Sequence, residues 1–280
     1  MEDPLLTLVW APVAALALTA ILIPFVRRAA IGAGQVTAVR KDRWHQRPTP
    51  VLGGVGIFLG FGLVVLGSSL ISGQGPAALS QLRMGILPLT PWEALIAASS
   101  LAFLVGLVDD FVQLGPTVKL VGQILAASVL LMSGIGLWLT GIYLVDALLS
   151  LLWFVGITNA LNLLDNMDGL AGGVALISAG FLAAIFFMDG RFALAGLALA
   201  LAGALLGFLI HNYPPARIFM GDSGSLFLGM LLSGLALSPG PGLSRSLLAI
   251  MAVPAMVLAV PILDTTLVTV SRVLEGRSPA

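Results

Sequence analysis

Cysteine is absent from the chain and histidine occurs only twice. Disulfides and thiolate metal centres are therefore excluded, although the redox compartment stays open. Charge is nearly as scarce: Asp, Glu, Lys and Arg make up 9% of residues, against roughly a quarter in soluble globular domains. Lys and Arg total 13 and Asp and Glu total 13, so net charge gives no pointer to nucleic acid. The chain also lacks an internal repeat, a low-complexity tract and any polar linker that would mark a second domain. What it has is apolar surface, 59% hydrophobic residues and a mean hydropathy of +1.08, which a soluble domain could not bury.

The apolar residues fall into runs of spanning length. Their cores lie at 5–26, 51–71, 91–108, 119–138, 144–161, 170–188, 191–210, 224–237 and 246–268, the eighth being the shortest of these. The first is longer than a signal-peptide core and follows Glu2 and Asp3, so it is expected to stay in the membrane. The expected fold is all-α, a polytopic integral membrane bundle of about nine transmembrane helices forming one domain over 1–280. With the N-terminus outside, ten of the basic residues lie on the cytoplasmic side, and only Arg83, Arg191 and Arg245 lie opposite. That threading used basic residues alone, yet it also brings Asp109, Asp110, Asp165, Asp168 and Asp222 to the inner face.

One polar stretch stands out, NALNLLDNMDGLAGG from Asn159 to Gly173. Asn159, Asn162, Asp165 and Asp168 recur at every third position, which on a helix turns back by about 60° per step and predicts one polar stripe. Asp109 and Asp110 are adjacent. On a continuous helix they would splay by about 100°, so a shared cation requires the helix to end or deform there. Gly115 and Pro116 then supply a turn, and Lys119 opens the next run, where its ammonium can contact phosphate or snorkel. Asp222 and Ser223, flanked by Gly221 and Gly224, can cap the eighth helix or lie in a turn presenting N–H groups to an anion. The segment RKDRWHQRPTPVLGGVG from Arg40 to Gly56 is cationic, and it reads as a positive-inside anchor or as a basic lip for anionic headgroups. So many carboxylates on one face call for a cation. Oxygen donors without thiolates favour Mg²⁺ or Mn²⁺ over zinc. Residue chemistry alone thus points to metal-assisted phosphoryl transfer at the inner membrane surface.

The blocks HQRPTPVLGG, GLVDDFVQLGPTVKLVGQ, NALNLLDNMDGLAGG and ARIFMGDSGSLFLG, in that order, resemble the polyprenyl-phosphate N-acetylhexosamine-1-phosphate transferases, glycosyltransferase family 4. The first block is similar to the N-acetylglucosamine branch, whereas the phospho-N-acetylmuramoyl-pentapeptide transferase branch carries a KxGTPTMGG-like segment. The resemblance implies transfer of a sugar 1-phosphate, N-acetylglucosamine 1-phosphate first of all, from a UDP-sugar to undecaprenyl phosphate with release of UMP. The setting it implies is the multi-pass inner membrane and the first membrane step of an envelope polysaccharide. It assigns catalysis to Asp109, Asp110 and Asp222, metal binding to Asp222, Asp165 and Asn162, and substrate contacts to Lys119, Asn159, Asn162, Asp165, Asp168, His45 and Arg217. Partners on this reading are the UDP-sugar, undecaprenyl phosphate and membrane lipids, with a homodimer as an option and no nucleic acid. Asn166 stands where the family usually has glycine. The family also continues past the ninth span into a histidine-rich loop, so the chain reads as truncated at its C-terminus. Two rivals remain, muramoyl-pentapeptide specificity and, in a different class, a cation or proton transporter. A transporter predicts acids near the membrane midplane and repeat symmetry, and the sequence shows neither. Asp264, beside Pro261, is assigned a structural role.

Overall fold

The computed structural model describes residues 4–37, 48–71, 86–87, 89–238 and 259–275. Nine helices occur among the described residues: α1 Pro4–Gly32, α2 Gly53–Ile71, α3 Pro91–Val112, α4 Pro116–Met132, α5 Tyr143–Leu164, α6 Leu170–Met188, α7 Phe192–Asn212, α8 Gly221–Ala236 and α9 Ala259–Leu274. Five contain segments long and apolar enough to cross a membrane: Leu8–Gly32, Pro91–Val112, Tyr143–Leu164, Leu170–Met188 and Phe192–Asn212. Gly53–Ser69 and Pro116–Met132 are shorter apolar helices. The chain is therefore a multi-pass helical membrane protein, and large hydrophobic side chains such as Val9, Val13, Ile21 and Phe25 of α1 are exposed on its surface.

The helix limits follow local chemistry. α3 opens on Thr90 and Pro91, and the Glu93 carboxylate returns to the Thr90 N–H at 2.7 Å. α4 starts at Pro116 after an extended Gly115. It ends at Met132, short of the expected 138, because Ser133 and Gly134 close its last turn and a non-helical segment leads to α5. One small departure from an all-α fold is an antiparallel ladder, β1 Val36–Thr37 against β2 Thr49–Pro50, with Val36 opposite Pro50.

Small residues let the helices approach. Gly203 and Gly207 of α7, four apart, lie against α1, where a Cβ on Gly207 would sit 2.5 Å from the Leu16 carbonyl. Phe58, Phe103 and Phe227 join α2, α3 and α8, with Phe58 stacked on Phe103 at 3.9 Å between centroids and edge-on to Phe227. α8 is the innermost element: every residue from Ser223 to Leu235 is buried. At 16 residues it is about 24 Å long, short of the hydrocarbon thickness of roughly 30 Å.

One end of the bundle is tied together by polar contacts. The C-terminal ends of α1, α3, α5 and α7 meet the starts of α2, α4, α6 and α8 there. Arg27 donates to the Arg217 carbonyl at 3.1 Å. The N–H groups of Gly53 and Gly54 donate to the carbonyls of Phe219 and Met220, each at 2.8 Å, and the Phe219 N–H returns to Pro50. Between those pairs Leu52 adopts φ +92°, a conformation L-residues rarely take, held from both sides by this docking.

Candidate active site

The centre of that end is Lys119, on the first turn of α4. Its ammonium lies 3.0 Å from Asp109 Oδ2 on α3 and 2.5 Å from Asp222 Oδ2 on α8, so acids 113 residues apart in sequence share one cation. The three side chains are 25%, 12% and 25% exposed. Asp109 Oδ1 accepts from the Leu114 N–H at 2.7 Å, which ties the acid to the turn between α3 and α4. Asn162, near the end of α5, donates to Asp222 Oδ1 at 3.0 Å and to Ser225 Oγ at 2.8 Å. Of the five acids expected together on the inner face, Asp109 and Asp222 thus meet directly at one end of the fold, joined there by Lys119 and Asn162.

Asp110 has a different position. α3 runs unbroken through both acids to Val112, so they splay as adjacent helical residues must. The Asp110 carboxylate accepts the Asp222 N–H on Oδ1 at 2.8 Å and the Ser223 N–H on Oδ2 at 3.1 Å. The anion received by the α8 N–H groups is therefore a side chain of the protein itself.

The polar stripe expected from Asn159 to Asp168 is not a single wall. α5 stops at Leu164 and Asp165 is its C-cap, so the threefold spacing no longer fixes a common direction. Asn159 faces α4, where it exchanges hydrogen bonds with the buried Gln123 at 2.7 and 3.2 Å. Asp168 accepts from the Ala216 N–H at 2.9 Å and so holds the connection between α7 and α8. Arg217 is exposed, and its backbone, N–H to His211 and carbonyl to Arg27, makes the contacts described. His45 lies outside the described residues, and so does the side chain of Asp264.

Sequence reasoning missed Gln123 and Asn212. Gln123 stands four residues after Lys119, on the same helix face, and that spacing was the available signal. Asn212 is buried and bridges two turns, accepting from Gly169 N–H and donating to the Ile218 carbonyl, both at 2.9 Å. Gly169 sits there at φ +73°, a conformation suited to glycine.

Around Lys119 and the start of α8, three carboxylates face one ammonium and one helix N-terminus. That excess of hard oxygen donors fits a divalent cation such as Mg²⁺ in kind. In placement, among the described residues no group of three or more His, Cys, Asp or Glu is arranged to hold a metal. Carboxylates, an amide and an ammonium thus gather at one end of the apolar bundle of a multi-pass membrane protein.

The chain belongs to glycosyl transferase family 4, whose sequence pattern it matches over residues 92–240, a range that includes Asp109, Asp110, Lys119, Asn162 and Asp222. It is 33% identical to the probable undecaprenyl-phosphate N-acetylglucosaminyl 1-phosphate transferase of Bacillus subtilis, over 98% of this chain and 74% of that protein. It is 36% identical to the decaprenyl-phosphate N-acetylglucosaminephosphotransferase of Mycolicibacterium smegmatis, over 94% of this chain and 71% of that one. It is also 36% identical to the phospho-N-acetylmuramoyl-pentapeptide-transferase of Lacticaseibacillus paracasei, over 73% of this chain and 66% of the other.

Proposed function

We propose that the protein transfers N-acetylglucosamine 1-phosphate from UDP-N-acetylglucosamine to undecaprenyl phosphate, releasing UMP, at the cytoplasmic face of the inner membrane with its N-terminus outside. The observation that carries this reading is the Lys119 ammonium shared by Asp109 and Asp222, in a family with relatives named as N-acetylglucosamine phosphotransferases of undecaprenyl or decaprenyl phosphate. The acetylglucosamine relatives align over 98% and 94% of the chain against 73% for the muramoyl-pentapeptide relative, which favours the former donor.

The reaction is a displacement at phosphorus. An oxygen of the lipid phosphate bonds to the sugar-bearing phosphorus, the bridging P–O bond breaks, and its electron pair leaves with UMP. Lys119 neutralises phosphate oxygens that displace the carboxylates from its ammonium. Asp109, beside it and 12% exposed, accepts the proton of the attacking lipid phosphate. The family resemblance gives Mg²⁺ or Mn²⁺ to Asp222, Asn162 and Asp165; Asp222 and Asn162 are already joined, and Asp165 caps the end of α5. A divalent ion held there would supply charge withdrawal from the pyrophosphate.

The test is UMP release by the purified protein given UDP-N-acetylglucosamine, undecaprenyl phosphate and Mg²⁺. The expected result is lipid-linked N-acetylglucosamine in equal amount to UMP. Turnover with UDP-muramoyl-pentapeptide alone would overturn the donor assignment, and no turnover with either donor would overturn the reading as a whole.

A further inference from the structure

We propose that Asp110 is a positioning residue whose carboxylate clamps the first turn of α8 and thereby sets where the Asp222 carboxylate stands. The consequence for turnover rests on the function proposed above, whereas the clamp itself does not.

Three observations converge on it. Both oxygens of Asp110 are engaged by successive N–H groups of α8, those of Asp222 and Ser223. A Cβ on Gly221 would lie 2.9 Å from each of those oxygens, and Gly221 itself is at φ +77°, so the turn that brings the amides onto the acid requires glycine. One helical turn before Asp110, Gly106 lies flush against α8, where a Cβ would overlap the Asp222 carbonyl and sit 2.6 Å from the Ser223 nitrogen. Asp222 is thus held at its N–H by Asp110, while its side chain meets Lys119 and Asn162. Its neighbour Asp109, about 100° around the same helix, has the ammonium. The two adjacent acids have divided the work: one faces the shared cation and the other fixes the element that carries the third acid.

Asparagine separates a clamp from a reacting group. Asn retains one acceptor oxygen for one of the two N–H groups and turns an NH₂ donor towards the other, so it keeps half of the clamp, while it cannot take a proton and binds metal poorly. Asp110→Asn and Asp110→Ala are compared with the unmodified protein in two measurements. The first is deuterium exchange at the Asp222 and Ser223 amides. The second is the UMP-release rate per folded molecule with the KM for the nucleotide sugar.

Asp110→Ala is expected to speed exchange at those two amides by about tenfold or more, since two clamped N–H groups are freed. It should lower kcat about 100-fold with KM little changed, the scale expected when a reacting group is misplaced by about 1 Å. Asp110→Asn, which keeps one of the two clamped N–H groups, should fall between the unmodified protein and Asp110→Ala in both exchange and kcat. If Asp110→Asn is as inactive as Asp110→Ala while its exchange matches the unmodified protein, the acid acts chemically and the proposal fails. Unchanged exchange in Asp110→Ala also sinks it, and so does fast exchange with full kcat. Should the unmodified protein not turn over the proposed substrates, the functional reading falls and the exchange measurement still decides whether the clamp exists.

Discussion

α5 carries polar groups at both ends, and the two ends are built to opposite specifications. Asp146, in its first turn, is 2% exposed and accepts four hydrogen bonds: from Leu139 N–H, Thr140 N–H, Thr140 Oγ1 and Gly141 N–H, at 2.9 to 3.2 Å. Asn162, 16 residues or about 24 Å further along, meets Asp222, which a single ammonium links to Asp109. The first acid is saturated by neutral donors of one connecting segment. The second group is drawn from α3, α4, α5 and α8, is partly open, and has more carboxylates than cations. A buried acid surrounded by backbone N–H groups is architecture, whereas partly exposed acids around one shared ammonium are the arrangement that the proposed function requires of a ligand site.

The contrast breaks first at the open end. Asp222→Asn and Asp109→Asn should each lower kcat by at least about 100-fold, the range seen when a positioned acid–base group is removed. Their melting temperatures should stay near that of the unmodified protein, because each site is partly exposed. A loss of folding in step with activity would show that this end, too, is architecture. At the other end, Asp146→Ala leaves the N–H groups of 139–141 without their acceptor. Its melting temperature should fall by several degrees, while kcat per folded molecule changes less than about twofold. A selective loss of kcat there would erase the distinction between the ends.

The smallest effect is expected at the Gln123–Asn159 pair beneath the site. Gln123→Leu or Asn159→Leu alone strands a polar partner and should cost about 1–3 kcal/mol, whereas the double substitution should be close to neutral. Additive losses in a denaturation cycle would show that the two amides do not act as a unit.

Much of this arrangement was legible in the sequence, and the reason is chemical economy. In a chain with 9% charged residues, the few acids at the ends of apolar runs had to meet something, and basic residues alone threaded Asp109 and Asp222 to the same side. The splay of Asp109 and Asp110 followed from helical geometry once the helix was known to continue through them. What could not be read was pairing across distance. Nothing local to Asp110 announces amides 112 and 113 residues away. Asn159 and Asp168 looked alike by spacing and proved to face different elements, because the helix ended at Leu164 between them. Asp146 was passed over because an acid opening an apolar run looks the same in sequence whether it meets water or the preceding turn.

α8 is an axle. Its neighbours sheathe it from Ser223 to Leu235, Asp110 grips one tip, and at the other Arg191, stacked on Phe186, holds the Ser238 carbonyl at 3.0 Å. A shaft that never touches oil needs neither the length nor the greasiness of its housing, which is how Ser223, Ser225 and Ser233 come to lie in the middle of a membrane protein. Its apolar run at 224–237 is the shortest of the nine because burial among other helices, and not contact with lipid, sets its composition.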